Sequence, residues 1–147
     1  MRTVLTKAFV QGLALHQFIY ERSGGWIGHH VPLLPPSLLL HATGRRTGQR
    51  RTSALTYARD GENYLITASN GGARRAPAWL HNLTTHPECE IQVGRQRLAV
   101  TARPVYPGDA EYDRLWDIVN KVNSNRYRAY QRQTDREIPV VVLTPSG

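Results

Sequence analysis

Two stretches of this chain concentrate residue types that bind anions and polar rings. The first, Thr43-Gly44-Arg45-Arg46-Thr47-Gly48-Gln49-Arg50-Arg51, sets four arginines around two glycines. Guanidinium forks grip phosphate oxygens bidentately, Thr47 and Gln49 add neutral donors, and glycine lets backbone amides approach an oxyanion closely. It is not the usual P-loop, because no Lys-Ser or Lys-Thr follows the second glycine and no helical pattern follows the loop. On charge alone, a solvated basic turn explains the stretch equally well. The second stretch, Thr67-Ala68-Ser69-Asn70-Gly71-Gly72-Ala73-Arg74-Arg75-Ala76-Pro77-Ala78-Trp79, runs from a predicted strand end to a predicted helix start. Paired glycines ahead of a helix N-terminus offer amides to an anion or a ring edge, and Trp79 offers a flat apolar surface. At helical spacing, however, a tryptophan more often belongs to the core.

The surrounding pattern says what must hold these stretches. Short apolar runs separated by turn residues predict strands over Leu38 to Ala42, Thr52 to Ala58, Tyr64 to Ala68, Glu90 to Val93 and Arg97 to Ala102. Asp60-Gly61 and Gly94-Arg95 fall where hairpin turns need residues that accept positive φ. The run Pro139 to Leu143 is continuous and β-branched, which predicts a strand buried on both faces. Apolar spacing predicts helices over Thr6 to Arg22, over about Pro77 to Thr85, and from just after Pro107, with Asp109 and Glu111 in its first turn, to near Asn123. Strands joined by tight turns with inserted helices indicate an α+β fold on an antiparallel sheet, and closure into a small barrel removes most exposed edges. Residues 1–36 read as an N-terminal helix and a proline-rich connection, and residues 37–147 as the barrel, in one domain overall.

Composition narrows the partners. A chain of 147 residues with 40% hydrophobic and 20% charged residues is neither disordered, collagen-like nor built of repeats. One cysteine, Cys89, forms no internal disulfide and no zinc motif, which favours a reducing, cytoplasmic setting. The segment from Val4 to Tyr20 is broken by Lys7, Gln11, His16 and Gln17 and falls short of the ~20 apolar residues of a spanning helix. It also shows no clear signal-peptide cleavage site. The six histidines have no ligand spacing, so no metal is expected. A net charge of +8 suits polyanions, whether nucleic acid, anionic lipid or a phosphorylated cofactor. Bunching of arginines at predicted hairpin ends, rather than along a groove, argues against a specific nucleic-acid site.

Taken together and in order, Gly44-Arg45-Arg46-Thr47-Gly48-Gln49 with Arg51, Ala68-Ser69-Asn70-Gly71-Gly72-Ala73, Pro77-Ala78-Trp79 with Asn82-Leu83, and Thr134-Asp135-Arg136-Glu137-Ile138-Pro139 resemble the deazaflavin-dependent nitroreductase family. These are split β-barrel oxidoreductases that use reduced coenzyme F420, and the resemblance spans Leu38 to Leu143. It implies that Arg45, Arg46, Thr47 and Arg51 hold the cofactor's phosphate and tail, and that Thr52, Ser53, Ala54, Leu55 and Thr56 line the ring. It further implies that Thr67, Ala68, Ser69, Asn70, Ala78, Trp79 and Asn82 complete the cofactor pocket. Tyr127 and Tyr130 match tyrosines on the substrate side, with an aromatic pair capping the barrel mouth as the alternative. Asn70 stands where many members carry lysine, Ala54 where proline is common, and Ser124 where nitro-reducing relatives can have a further tyrosine.

The resemblance implies hydride transfer to a small electron-poor acceptor such as a quinone, enone or nitro compound, with Tyr130, Tyr127, Ser69 or water supplying the proton. Flavin mononucleotide or haem in the same barrel, and a non-catalytic cofactor or lipid carrier, are the competing readings. The basic N-terminal helix has two fates, core packing or peripheral contact with an anionic inner membrane face. A homodimer suits a barrel of this size.

Overall fold

The computed structural model describes residues 35–146, so the helix expected over Thr6 to Arg22 and most of the connection from Trp26 to Pro36 lie outside the described residues. The strands are β1 (Ser37–Thr43), β2 (Arg50–Thr56), β3 (Ala58–Asp60), β4 (Asn63–Thr67), β5 (Glu88–Val93), β6 (Gln96–Val105) and β7 (Val140–Pro145). Inserted among them are a 3-10 turn at Asn70–Gly72 and helices α1 (Ala78–Thr85), α2 (Tyr112–Val122) and α3 (Arg126–Arg132). All strand pairs are antiparallel, in the order β2-β1-β5-β6-β7-β4-β3. The edge strands β2 and β3 are separated in sequence only by Tyr57, so the sheet must curl until its two edges meet there. This curled antiparallel sheet with flanking helices is the expected α+β split-barrel architecture.

Alternation along the strands makes two cores. On the inner face, Leu38, Leu40 and Ala42 of β1 pack with Ile91, Val100, Val141, Leu143 and Ile66, and α1 inserts Trp79, Leu80 and Leu83 among them. On the outer face, Leu65, Val105, Val140 and Val142 pack against Tyr112, Leu115 and Val119 of α2 and Tyr127 of α3. Burying each large apolar side chain contributes about 1.5–3 kcal/mol. β7 feeds both cores with alternate residues, which explains its uninterrupted apolar run. β6 reaches Val105 and tolerates Pro104 because pairing with β5 ends at Thr101. The Ala102 N–H already donates to Pro87 O at 2.8 Å on that side, so the ring two residues later replaces a donor with no ladder to join.

Three expectations change. The single strand expected over Thr52 to Ala58 is two strands belonging to opposite edges. Tyr57 turns the chain between them, its N–H donating to Pro36 O at 3.1 Å and its ring lying 5.5 Å from that of Tyr64. The α2 helix starts at Tyr112, so Asp109 and Glu111 precede its first turn. Asp109 instead accepts the Tyr106 N–H at 2.9 Å and Glu111 pairs with Arg103, leaving Asp113 as the acid in the first turn. The α3 helix was not expected. Ser124 and Asn125 adopt left-handed φ of 61° and 64° and turn the chain sharply out of α2 into it.

Candidate functional site

The arginine loop joins β1 to β2 and is closed by its own backbone. Gly44 N–H donates to Gln49 O at 2.7 Å, Gly48 N–H donates to Gly44 O at 2.9 Å, and Thr47 Oγ1 accepts the Gln49 N–H at 3.2 Å. Gly44 suits this closure, since a Cβ there would crowd Gln49 O and Thr47 Oγ1 at 3.1 Å, with Arg51 Nε 3.7 Å away. Thr47 still has its hydroxyl proton to donate outward. The loop is braced to α1 by Arg45 N–H, which donates to Asn82 Oδ1 at 3.0 Å. Arg50 pairs with Glu90 at 3.3 Å, whereas no carboxylate among the described residues pairs with the exposed Arg45, Arg46 or Arg51. Three guanidinium groups without a carboxylate partner among the described residues, set around a tight backbone loop, have the chemistry of an anion site.

From this loop β2 runs along the sheet edge, and every residue from Thr52 to Thr56 is half-buried. The five residues do not line one surface. Register with β1 puts Thr52, Ala54 and Thr56 on the outer face, while Ser53 and Leu55 share the inner face with Leu40 and Leu38, and Leu55 packs on the inner core. Thr52 Oγ1 lies 2.8 Å from Nδ1 of buried His41, its cross-strand partner. At the far end Thr56 and buried Thr67 lie beside the Tyr127 phenol, although Thr67 Oγ1 has no hydrogen bond of ordinary geometry. Burial pushes Tyr127 up to about 12, partly offset by those two hydroxyls, so it stays protonated at neutral pH. Arg51 and Thr56 stand roughly 17 Å apart at ~3.4 Å per strand residue. One end of the edge is cationic and the other carries hydroxyls.

The second predicted stretch folds into a pinned turn. Ser69 is buried, and its carbonyl accepts the Gly72 N–H at 2.8 Å. Asn70 takes φ of 44° and its Nδ2 donates to Arg75 O at 3.0 Å, so the side chain closes the turn where a lysine would have reached outward. Gly72, at φ of 81°, sits against Tyr130: an added Cβ would meet Tyr130 O at 3.0 Å. Tyr130 is half-buried and makes an edge contact with Tyr127, ring centroids 6.4 Å apart.

The residues singled out from the sequence therefore form two groups bridged by β2. Arg45, Arg46, Thr47 and Arg51 gather at the loop, with Asn82 as its internal brace. Thr56 and Thr67 gather at the Tyr127 phenol, where β2, β4 and α3 converge, and Tyr130 packs between Tyr127 and Gly72, whereas Ala68 belongs to the inner core and Ser69 to the pinned turn. Trp79 is 8% exposed within the inner core, so it is a packing residue rather than an open platform, while Ala78 beside it is exposed. Sequence reasoning assigned no role to Gln131 or Arg136. Arg136 lies inside the Thr134–Pro139 motif, and its side chain reaches the carbonyls of Ala68, Ser69 and Ala73. Among the described residues no group of three His, Cys, Asp or Glu side chains could hold a metal, and no helix is long and apolar enough to cross a membrane.

Comparison with known proteins identifies the family and the fold. The chain is 59% identical over 135 residues to the F420H(2)-dependent quinone reductase Rv1261c of Mycobacterium tuberculosis, covering 92% of this chain and 91% of that protein. Among solved structures it resembles an F420-H2 dependent reductase, FDR-A, with a TM-score of 0.65 and 30% identity over 74% of this chain and 93% of the other. A domain-swapped dimer matches with a TM-score of 0.67 and 28% identity over 97% of this chain and 99% of the other. The family model for F420H(2)-dependent quinone reductase matches residues 13–145, and the chain belongs to that family.

Proposed function

We propose that this protein binds reduced F420 along the β2 edge and passes a hydride from it to a quinone. The observation that carries this reading is the edge itself: three arginines that pair with no carboxylate among the described residues at one end, a cluster of hydroxyls at the other, and a half-buried strand between. Such a surface fits a long cofactor with an anionic tail and a polar ring system. Arg45, Arg46, Arg51 and the Thr47 hydroxyl would hold the phosphate and tail. Thr52, Ala54 and Thr56, on the outer face of β2, would run beside the ring, with Ser69 across from them. When bound, reduced F420 supplies the hydride from its ring carbon.

The acceptor side falls to α3. Tyr127 is too deeply buried to touch a substrate and holds its phenol against Thr56 and Thr67. Tyr130 is the more accessible of the pair and would donate the proton to the reduced acceptor. Membership in a reductase family favours turnover over a carrier role, and F420 over flavin mononucleotide. A reducing, cytoplasmic setting follows from the single cysteine, and the domain-swapped relative supports a homodimer.

Fluorescence titration with F420, with flavin mononucleotide as control, tests the binding step. Saturable binding of F420 followed by oxidation of its reduced form on addition of menadione would support the assignment. Binding of flavin mononucleotide in preference to F420 would overturn it.

A further inference from the structure

We propose that Arg136 is a positioning residue that locks the Ser69–Ala73 turn to helix α3, so that the cofactor side and the acceptor side of the site move as one body. The proposal rests on the reading above only in naming what each side faces. Arg136 Nη1 donates to Ala68 O at 3.1 Å, Nη2 donates to Ser69 O at 3.0 Å and to Ala73 O at 3.3 Å, and Nε donates to Ala73 O at 3.4 Å. These bonds join backbone 63 to 68 residues apart in sequence. Among the described residues no carboxylate pairs with Arg136. Its fork is spent on carbonyls, which a planar guanidinium can span and a single ammonium cannot.

The loop that presents Arg136 is in turn fastened to α3. Gln131 Nε2 donates to Arg136 O at 2.8 Å and to Thr134 O at 3.3 Å, while Gln131 Oε1 accepts the Ile138 N–H at 3.0 Å. Thr134 Oγ1 accepts the Arg136 N–H at 3.2 Å. A second contact closes the ring from the other side, where Gly72 lies so close to Tyr130 that a Cβ would come within 3.0 Å of its carbonyl and 3.2 Å of its Cα. The Ser69–Ala73 turn, the 134–138 segment that carries Arg136, and helix α3 thus form one closed circuit of contacts. Tyr130 keeps its distance from the turn through Arg136 and Gln131, neither of which needs to touch substrate.

Backbone amide exchange of the protein without cofactor tests this in wild type, Arg136→Lys, Arg136→Met and Gln131→Ala. Both Arg136 variants are expected to speed exchange about tenfold in residues 69–73 and in residues 126–133 together, with β5 and β6 unchanged. Gln131→Ala should speed the same two segments less. At saturating F420, Arg136→Met should also lower kcat for menadione several-fold. Wild-type exchange in Arg136→Lys would overturn the proposal, because charge rather than the fork would then suffice. So would faster exchange in the turn with α3 unchanged, or a uniform rise over the whole chain with kcat of the folded fraction intact. Since exchange is read without cofactor, failure of wild type to bind F420 would sink the functional reading and leave this one standing.

Discussion

The two edges of the curled sheet meet at Tyr57 but are finished in opposite ways. β3 is three residues long, its Ala58 is buried under α2, and Arg114 ties α2 to Asp60 at 2.9 Å. Arg59 folds back over the Tyr64 ring at 3.9 Å and donates to Asn63 O and Gly61 O, which blunts the remaining edge. β2 is seven residues long, stays half-exposed along most of its length, and pairs with no described strand on the side away from β1. An open polar edge is a liability unless something lies along it. The difference teaches that the arginines at β3 are committed to contacts inside the protein, whereas beside β2 only Arg50 is so paired and Arg45, Arg46 and Arg51 meet no carboxylate among the described residues, as the proposed function requires.

Breaking that contrast should have its largest effect on cofactor affinity. Replacing Arg45, Arg46 and Arg51 together by Ala should raise the F420 Kd about 100-fold, because each charge-assisted hydrogen bond contributes roughly 1.5–3 kcal/mol and the losses overlap. Fluorescence titration reads this, and Arg59→Ala with Arg114→Ala at the closed edge should leave Kd within about twofold. Equal losses at both edges would erase the distinction.

The hydroxyl end of β2 should show itself in alkali. Tyr127 is shifted from 10.0 to about 12 by burial, so the unfolded chain loses its proton first as pH rises. Stability from this group is full below pH 10 and drains away between about pH 10 and 12 at roughly 1.4 kcal/mol per unit. Urea unfolding across that range should fall less steeply in Tyr127→Phe than in wild type. Parallel slopes would mean that the phenol is not held neutral at the junction of the two edges.

A smaller effect is expected at Tyr130. Tyr130→Phe should lower kcat for menadione about tenfold with F420 binding unchanged, since water replaces part of a lost proton donor. Unaltered turnover would remove Tyr130 from the acceptor side. Smallest is Gly44→Ala, which crowds Gln49 O and Thr47 Oγ1 and should cost about 1 kcal/mol in stability with a few-fold weaker F420 binding. A gain in stability would show that the loop has more room than its closure implies.

Much of this arrangement was legible in the residues. β7 announced its double burial through Pro139 to Leu143, the hairpins announced themselves through Asp60-Gly61 and Gly94-Arg95, and the arginine loop stood out by composition. The break at Tyr57 did not, because nothing in Thr52 to Ala58 departs from strand chemistry and only sheet closure demands it. Helix α3 was hidden by its lack of an apolar stripe and by an entry through Ser124 and Asn125 that carries no glycine. Arg136 and Gln131 were illegible as a pair, since the carbonyls Arg136 holds lie 63 to 68 residues away and backbone carbonyls have no sequence signature. Trp79 pointed two ways, to the core by its helical spacing and to the cofactor pocket by the family resemblance, and it lies in the inner core.

The place of β7 also bears on how the protein is made. It is the last of the described strands to be synthesised, yet it sits inside the sheet, pairing with β6 on one side and β4 on the other. Until residues 140–145 leave the ribosome, the nascent chain carries β4 and β6 with unpaired inner edges and an apolar face that has no closing member. Sheet closure therefore waits on residues 140–145, and a chain cut before Val140 would expose the inner edges of β4 and β6 in addition to the open edge of β2.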